Sequence, residues 1–341
     1  ETWSLTNLQR STLEVCQRIL PHVYTTYRTY QVTVVGGATD VGQTISLLLR
    51  QEQNISKLVV HDTRGLTPGV VLDLSHVPVP ADLNGFTGDD TLDKALKNAN
   101  VVIGAGGLLR KPGITEKLWL SANTGFIKAL ASRVAKMDPL PFFGIVTEPI
   151  NCLVPMAAEV LRNNGYYDPK KLFGVTGVDA LRAQAMYAKL YNLNPRNCIV
   201  PVIGGHSEKT VIPLLSQSQP SSNLDYKTSQ DFTLEFRKTD FKIFKAKKGC
   251  SPVLSIAYSA LLFTRSLLDA LEGRPAKVHA FIENNDFGTA YFGGLVHVNH
   301  VGIKEMERYT TLSQYECNLL ERSLNELRKE VLKGKKVLEL A

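Results

Sequence analysis

Residues 34–43 read Val-Val-Gly-Gly-Ala-Thr-Asp-Val-Gly-Gln. A β-branched run over 31–35 enters the glycine pair, and a helix with one buried face is expected over 41–50. Strand, tight glycine turn and helix together restrict the fold more than any other feature of the chain. The helix N-terminus of such a unit offers free N–H groups and a positive dipole end to a pyrophosphate. The turn needs three small residues: one for the bend, one for close phosphate approach, one for helix–sheet packing. Gly36 or Gly37 meets the first need and Gly42 the third. Thr39 stands at the middle position, where a β-branched side chain is expected to crowd the pyrophosphate while its hydroxyl offers it a hydrogen bond. Asp40 adds a negative charge beside it. Asp62 follows Gly42 by 20 residues, at the end of a second expected strand over 57–62. An acidic residue there takes the adenosine ribose hydroxyls and favours NAD over NADP.

Further strands are expected over 100–105 and 142–147, with a helix over 118–137 between them. Strands alternating with helices imply parallel βαβ units, hence an α/β, Rossmann-type doubly wound sheet. Past Asn151 the pattern changes. A strand over 173–176 leads to a helix over 178–191, and the stretch 198–205 ends in a glycine pair before His206. Helices over 229–246 and 253–272, hairpin-like strands over 277–282 and 290–298, and a last helix over 312–332 complete an α+β domain. The expected organisation is an N-terminal extension over 1–30, a dinucleotide-binding domain over 31–151 and a substrate domain over 152–341.

Of the 341 residues 44% are hydrophobic and 21% charged, ordinary values for a globular protein. No run of eighteen apolar residues occurs, so no membrane span is expected. The net charge of +7 concentrates over 237–248 and 328–336. Neither run carries a zinc-finger or RNA-binding signature, so no nucleic-acid partner is expected and both read as solvated helix faces. The five cysteines are scattered with no CxxC pair, which points to a reducing compartment and against a disulfide framework or a zinc site. Residues 1–30 are rich in Ser and Thr, carry Arg10, Arg18 and Arg28, and lack the apolar core of a secretory signal. They fit a remnant beside an organellar transit sequence, or a docking tail.

Several long stretches carry a family resemblance. They are TPGVVLDLSH (67–76), RKPGIT (110–115), EPIN (148–151), FGVTGVDALR (173–182), VPVIGGHSEKT (200–210) and LSIAY (254–258). From about residue 31 to 335 the chain resembles the malate dehydrogenases of the mitochondrial type. The resemblance implies NAD-dependent hydride transfer between malate and oxaloacetate, as in the tricarboxylic acid cycle. It also implies a small dicarboxylate substrate and a homodimer or a heterodimer with a related chain. With the basic balance and a start at Glu1 rather than Met, it implies the mitochondrial matrix, with the cytoplasm as the alternative. By motif, His206 matches the proton-exchanging base and Asp179 the residue that orients it. Arg110 and Arg182 match the two substrate carboxylate clamps, since a planar guanidinium pairs with a carboxylate bidentately. Asn123 joins Gly36, Gly37, Gly42 and Asp62 as cofactor-binding positions.

The chain departs from that pattern at four places. Glu116 replaces an arginine that polarises the ketone oxygen, Glu148 an asparagine, Glu208 a glycine, and Thr39 the loop glycine. Three carboxylates in place of a cation, an amide and a glycine around one site are expected to impair turnover of a dianion. Arg110 or Arg182, left without substrate, is expected to pair with Glu116 or Glu148. Three readings follow: a malate dehydrogenase that tolerates these substitutions, a non-catalytic structural or regulatory paralogue, and an enzyme for a hydroxy compound bearing a positive group. The sequence favours the second for present activity.

Overall fold

The structure, a computed structural model, describes residues 30–111, 113–221 and 224–337. The expectations for residues 1–29 lie outside the described residues.

The first half alternates as expected: β1 (Tyr30–Val35), α1 (Asp40–Arg50), β2 (Ile55–Asp62), α2 (Thr67–Ser75), β3 (Asp82–Thr87), α3 (Leu92–Leu96), β4 (Val101–Gly104), α4 (Glu116–Val134), β5 (Phe142–Ile145). Helix α5 (Ile150–Asn164) then crosses to β6 (Leu172–Val175). Strands β3-β2-β1-β4-β5-β6 lie side by side in that order, all parallel, the order of a dinucleotide-binding sheet. β1, β4, β5 and β6 are buried along their whole length. Helices cover both faces, which is why these strands are apolar runs rather than alternating ones. Helix α1 buries Val41, Ile45 and Leu49, the helical spacing that marked it in sequence.

The second half comprises α6 (Gly177–Leu190), β7 (Val202–Gly204), β8 (Val211–Pro213), α7 (Tyr226–Arg237), α8 (Thr239–Ala246), α9 (Leu254–Leu271), β9 (Ala276–Glu283), β10 (Tyr291–Val298), β11 (Ile303–Met306) and α10 (Gln314–Lys336). β9 pairs antiparallel with β6, so the sheet runs on through β10, β7 and β8. The boundary drawn at 151 falls inside α5, the crossover helix, and the parallel half extends to Val175.

Three differences from the sequence reading have physical causes. β3 was not foreseen: Asp-Leu-Asn-Gly-Phe-Thr has no clean alternation, and as an edge strand it has no fully buried residue. The single helix expected over 229–246 breaks at Lys238. Phe232 and Phe236 anchor α7 in a buried cluster, whereas α8 buries nothing and leaves Phe241 63% exposed, so no packing holds the two on one axis. The basic run is, as read, largely a solvated face. Helix α9 is long and apolar enough by composition to cross a bilayer, although it contains no unbroken run of eighteen apolar residues. Here half of it is buried, with Phe263 against Phe173 of β6 and Leu267 and Leu268 in the core, as the central helix of a globular protein.

Candidate active site

The glycine turn is held at backbone contact. Gly36 has φ +86°, and a Cβ there would lie 2.1 Å from Gly106 Cα; one on Gly42 would lie 2.1 Å from the Gly36 carbonyl. Only glycine fits both places. Gly37 donates its N–H to the His61 carbonyl at 2.9 Å, tying the turn to β2. Thr39 does not crowd the loop's outer face. It is 2% exposed and caps α1, its hydroxyl accepting from the Gly42 N–H at 2.8 Å. The hydroxyl proton points to the Gly36 or Ala105 carbonyl, 2.9 and 2.8 Å away. The expected steric conflict is therefore absent, because a threonine before a helix turns inward to satisfy orphan N–H groups. The same inward turn commits the hydroxyl that was expected to face phosphate. Asp40 is exposed in the first turn of α1.

Asp62 is 6% exposed at the end of β2. Its Oδ2 accepts from the Ala38 N–H at 2.9 Å and its Oδ1 from the Arg64 N–H at 3.1 Å. Asn123, on α4, is 1% exposed and spends its amide on backbone. It accepts from the Leu108 N–H at 2.6 Å and donates to the Leu108 and Glu148 carbonyls at 3.2 and 2.7 Å. It braces the loop after β4 against the segment after β5. Between these parts an open cleft runs from Val41 and Gly106 past Trp119 and Asn123 to Glu148, Ser251 and Ile256. A tight glycine cradle leading into a cleft that ends beside Glu148 fits an extended dinucleotide.

On the far side, Asp179 and Arg182 lie one turn apart at the start of α6. His206 follows β7, its N–H donated to Asn151 Oδ1 at 2.8 Å. Its Nδ1 lies 2.6 Å from Asp179 Oδ2, and its Nε2 3.4 Å from Glu148 Oε1. Burial pushes the imidazolium pKa down, but Asp179 and then Glu148 outweigh it and lift His206 well above its ordinary value. His279, on β9, shares a small cavity with Asp179, Thr176 and Gly205. Burial holds it near 4 despite Asp179, so it stays neutral and leaves the Asp179 charge to His206.

Arg182 is paired, but not with Glu148. Its Nη2 meets Asp240 Oδ1 at 2.5 Å and its Nη1 lies 3.7 Å from Asp179 Oδ1. Its Nε is buried without a hydrogen-bond partner among the described residues. Asp240 sits on α8, just past the break at Lys238, and half of its side chain reaches solvent. Burial of its inner side raises the Asp240 pKa, Arg182 lowers it, Glu148 raises it again, and the net is upward. Arg110 is exposed, its guanidinium 5.6 Å from the Trp119 ring centre. The pairing expected of Glu116 involves a side chain outside the described residues.

Glu208 is not part of this cluster. It is exposed after β7, and the charge it acts on is Arg237. The acidic group the sequence reading missed is Asp240, 58 residues from Arg182 in sequence. No motif signals it; only the helix break brings it in.

Residues 30–174 match the family described as lactate/malate dehydrogenase, NAD binding domain, and residues 176–338 its alpha/beta C-terminal domain. The chain is 37% identical over 306 residues to a malate dehydrogenase of Vibrio vulnificus (strain YJ016), covering 89% of this chain and 98% of that one. In fold it is similar to the malate dehydrogenase of Cryptosporidium parvum, with a TM-score of 0.78 and 21% identity over 90% of this chain and 99% of that one. It is equally similar to the lactate dehydrogenase of the same organism, complexed with lactic acid and nicotinamide adenine dinucleotide (TM-score 0.78, 18% identity, 92% and 99% covered).

Proposed function

The chain belongs to the lactate/malate dehydrogenase family, and from that premise we propose that it converts malate and oxaloacetate only slowly, with the proton-handling pair of a hydroxy-acid dehydrogenase still assembled. The observation that carries this reading is the Glu148 carboxylate 3.4 Å from His206 Nε2.

NAD, when bound, accepts or returns the hydride. Every other part of the reaction falls to the chain. His206 Nε2 exchanges the hydroxyl proton, while Asp179 orients the ring and stabilises its charged form. Arg182 takes one substrate carboxylate and Arg110 the other. With Glu148 against Nε2, the imidazolium is held between two carboxylates. Oxaloacetate reduction needs the protonated ring and malate oxidation the neutral one, so the raised His206 pKa biases residual chemistry toward reduction near neutral pH.

A dicarboxylate entering this site meets Glu148 and Asp240. A unit charge pair at ~4 Å with an effective dielectric near 20 is worth about 4 kcal/mol. Glu116 stands where the resemblance places a cation facing the developing oxyanion, and losing one such donor costs about 3–4 kcal/mol of barrier. Steady-state assay with saturating NADH and oxaloacetate should therefore give turnover below about 0.1 per second, roughly a hundredfold under the median enzyme rate of about 10 per second. Turnover at that median contradicts the reading.

A separate surface bears on assembly, both for an enzyme and for the alternative reading of a structural or regulatory paralogue. Leu47 on α1 and Leu254 and Tyr258 on the packed helix α9 are exposed at 43%, 73% and 47%. Such a face suits a second copy or a related chain, and sedimentation at micromolar concentration tests for one. The resemblance and the basic balance support a mitochondrial-matrix location, which organelle fractionation tests.

A further inference from the structure

Arg64 lies two residues beyond the end of β2 and reaches back to the glycine turn and to the loop after β4. Its Nη1 is 3.4 Å from the Ala38 carbonyl in the glycine turn. Its Nη2 is 3.1 Å from the Gly107 carbonyl in the loop after β4. Its Nε is 3.9 Å from Asp62 Oδ1. One guanidinium thus spans the two loops that border the groove and touches the residue placed for the adenosine ribose. Its side chain is 42% exposed, so it is open to solvent beside Asp62.

The contacts it makes are weak ones for an arginine. Two are single bonds to neutral carbonyls, and the third is a long approach to a carboxylate already bonded to two backbone N–H groups. A guanidinium fork is best satisfied by a phosphate, which offers charge and two acceptors at once. An acidic residue at the end of β2 normally repels a 2′-phosphate on the adenosine ribose. Here the cation beside Asp62 offsets that repulsion, and it sits at the same end of the groove.

We propose that Arg64 is a specificity-determining residue that makes the groove accept a 2′-phosphorylated nicotinamide dinucleotide as well as the unphosphorylated one. On binding, the guanidinium leaves the Ala38 and Gly107 carbonyls and forks onto the 2′-phosphate, while Asp62 stays on the Ala38 N–H. The proposal rests on the dinucleotide groove but not on turnover.

The test is equilibrium binding of NADH and NADPH to the full chain, followed by nicotinamide fluorescence, with 2′-AMP and 5′-AMP as competitors. The native chain should bind NADPH within about tenfold of NADH, and 2′-AMP should compete better than 5′-AMP. Arg64→Ala should weaken NADPH and 2′-AMP by about tenfold or more and NADH by less than about threefold, with Arg64→Lys in between. NADH binding with NADPH weaker by roughly a hundredfold or more overturns this inference and leaves the proposed function standing. Equal weakening of both dinucleotides in Arg64→Ala also overturns it, since a strap that only shapes the groove acts on both alike. Failure of the native chain to bind either one removes the groove reading together with the inference.

Discussion

The two sides of the cleft place their distinctive side chains differently. On the glycine-turn side, Thr39 replaces a small residue, yet it is buried, caps α1 and bonds three backbone groups. On the His206 side, Glu148 and Asp240 put carboxylates against Nε2 and against Arg182. The first change adds hydrogen bonds within the scaffold; the second adds negative charge beside His206 and Arg182. A side chain that can turn into the scaffold leaves the ligand surface intact. A carboxylate held beside a substrate-facing cation cannot be hidden in this way.

The comparison breaks most visibly at the backbone. Gly36→Ala puts a Cβ into Gly106 at positive φ, so about 3 kcal/mol or more of stability should vanish, read as a lowered thermal midpoint. An unchanged midpoint would mean the turn is looser than its contacts. Asp240→Asn comes next. Freeing Arg182 should lower the oxaloacetate KM about tenfold, or roughly 1.4 kcal/mol, with kcat little changed. A constant KM would show that Asp240 does not stand in the place of a substrate carboxylate. Smaller still, Thr39→Gly restores the missing glycine but removes a cap, costing roughly a few tenths of a kcal/mol of stability. NADH affinity should not improve; a tenfold gain would restore the crowding argument and erase the contrast between the two sides.

The subtlest effect is in pH. His206 is raised above its unfolded value, so the stability it lends is complete below the ordinary histidine pKa and is lost as pH rises through the raised folded value. Malate oxidation, which needs the neutral ring, should rise over that same upper window. Glu148→Asn removes one of the two raising carboxylates and should move the midpoint of the rate profile downward. A midpoint that stays put would assign the whole shift to Asp179.

The fold was legible because its signals are local and repeated. The Gly36 turn, the buried runs of β1, β4 and β5, and the apolar stripe of α1 each obey their own period. Asp179 and His206 were legible because the resemblance fixes them by motif, and the structure brings them to 2.6 Å. What sequence could not show were directions. Thr39 turns inward and Glu208 outward, choices made by capping and loop course rather than by residue type. Asp240 was invisible because its partner is far away in the chain and its approach depends on a break between two helices that share one continuous periodic pattern.

The central claim is that charge at the reacting atoms, not loss of the fold or of the groove, limits this chain. The most direct measurement is single-turnover oxidation of bound NADH by oxaloacetate in the native chain and in the Glu116→Arg, Glu148→Asn double variant. The account predicts a rate at least roughly a hundredfold higher in the double variant, with NADH affinity unchanged. Equal rates in the two proteins would contradict it.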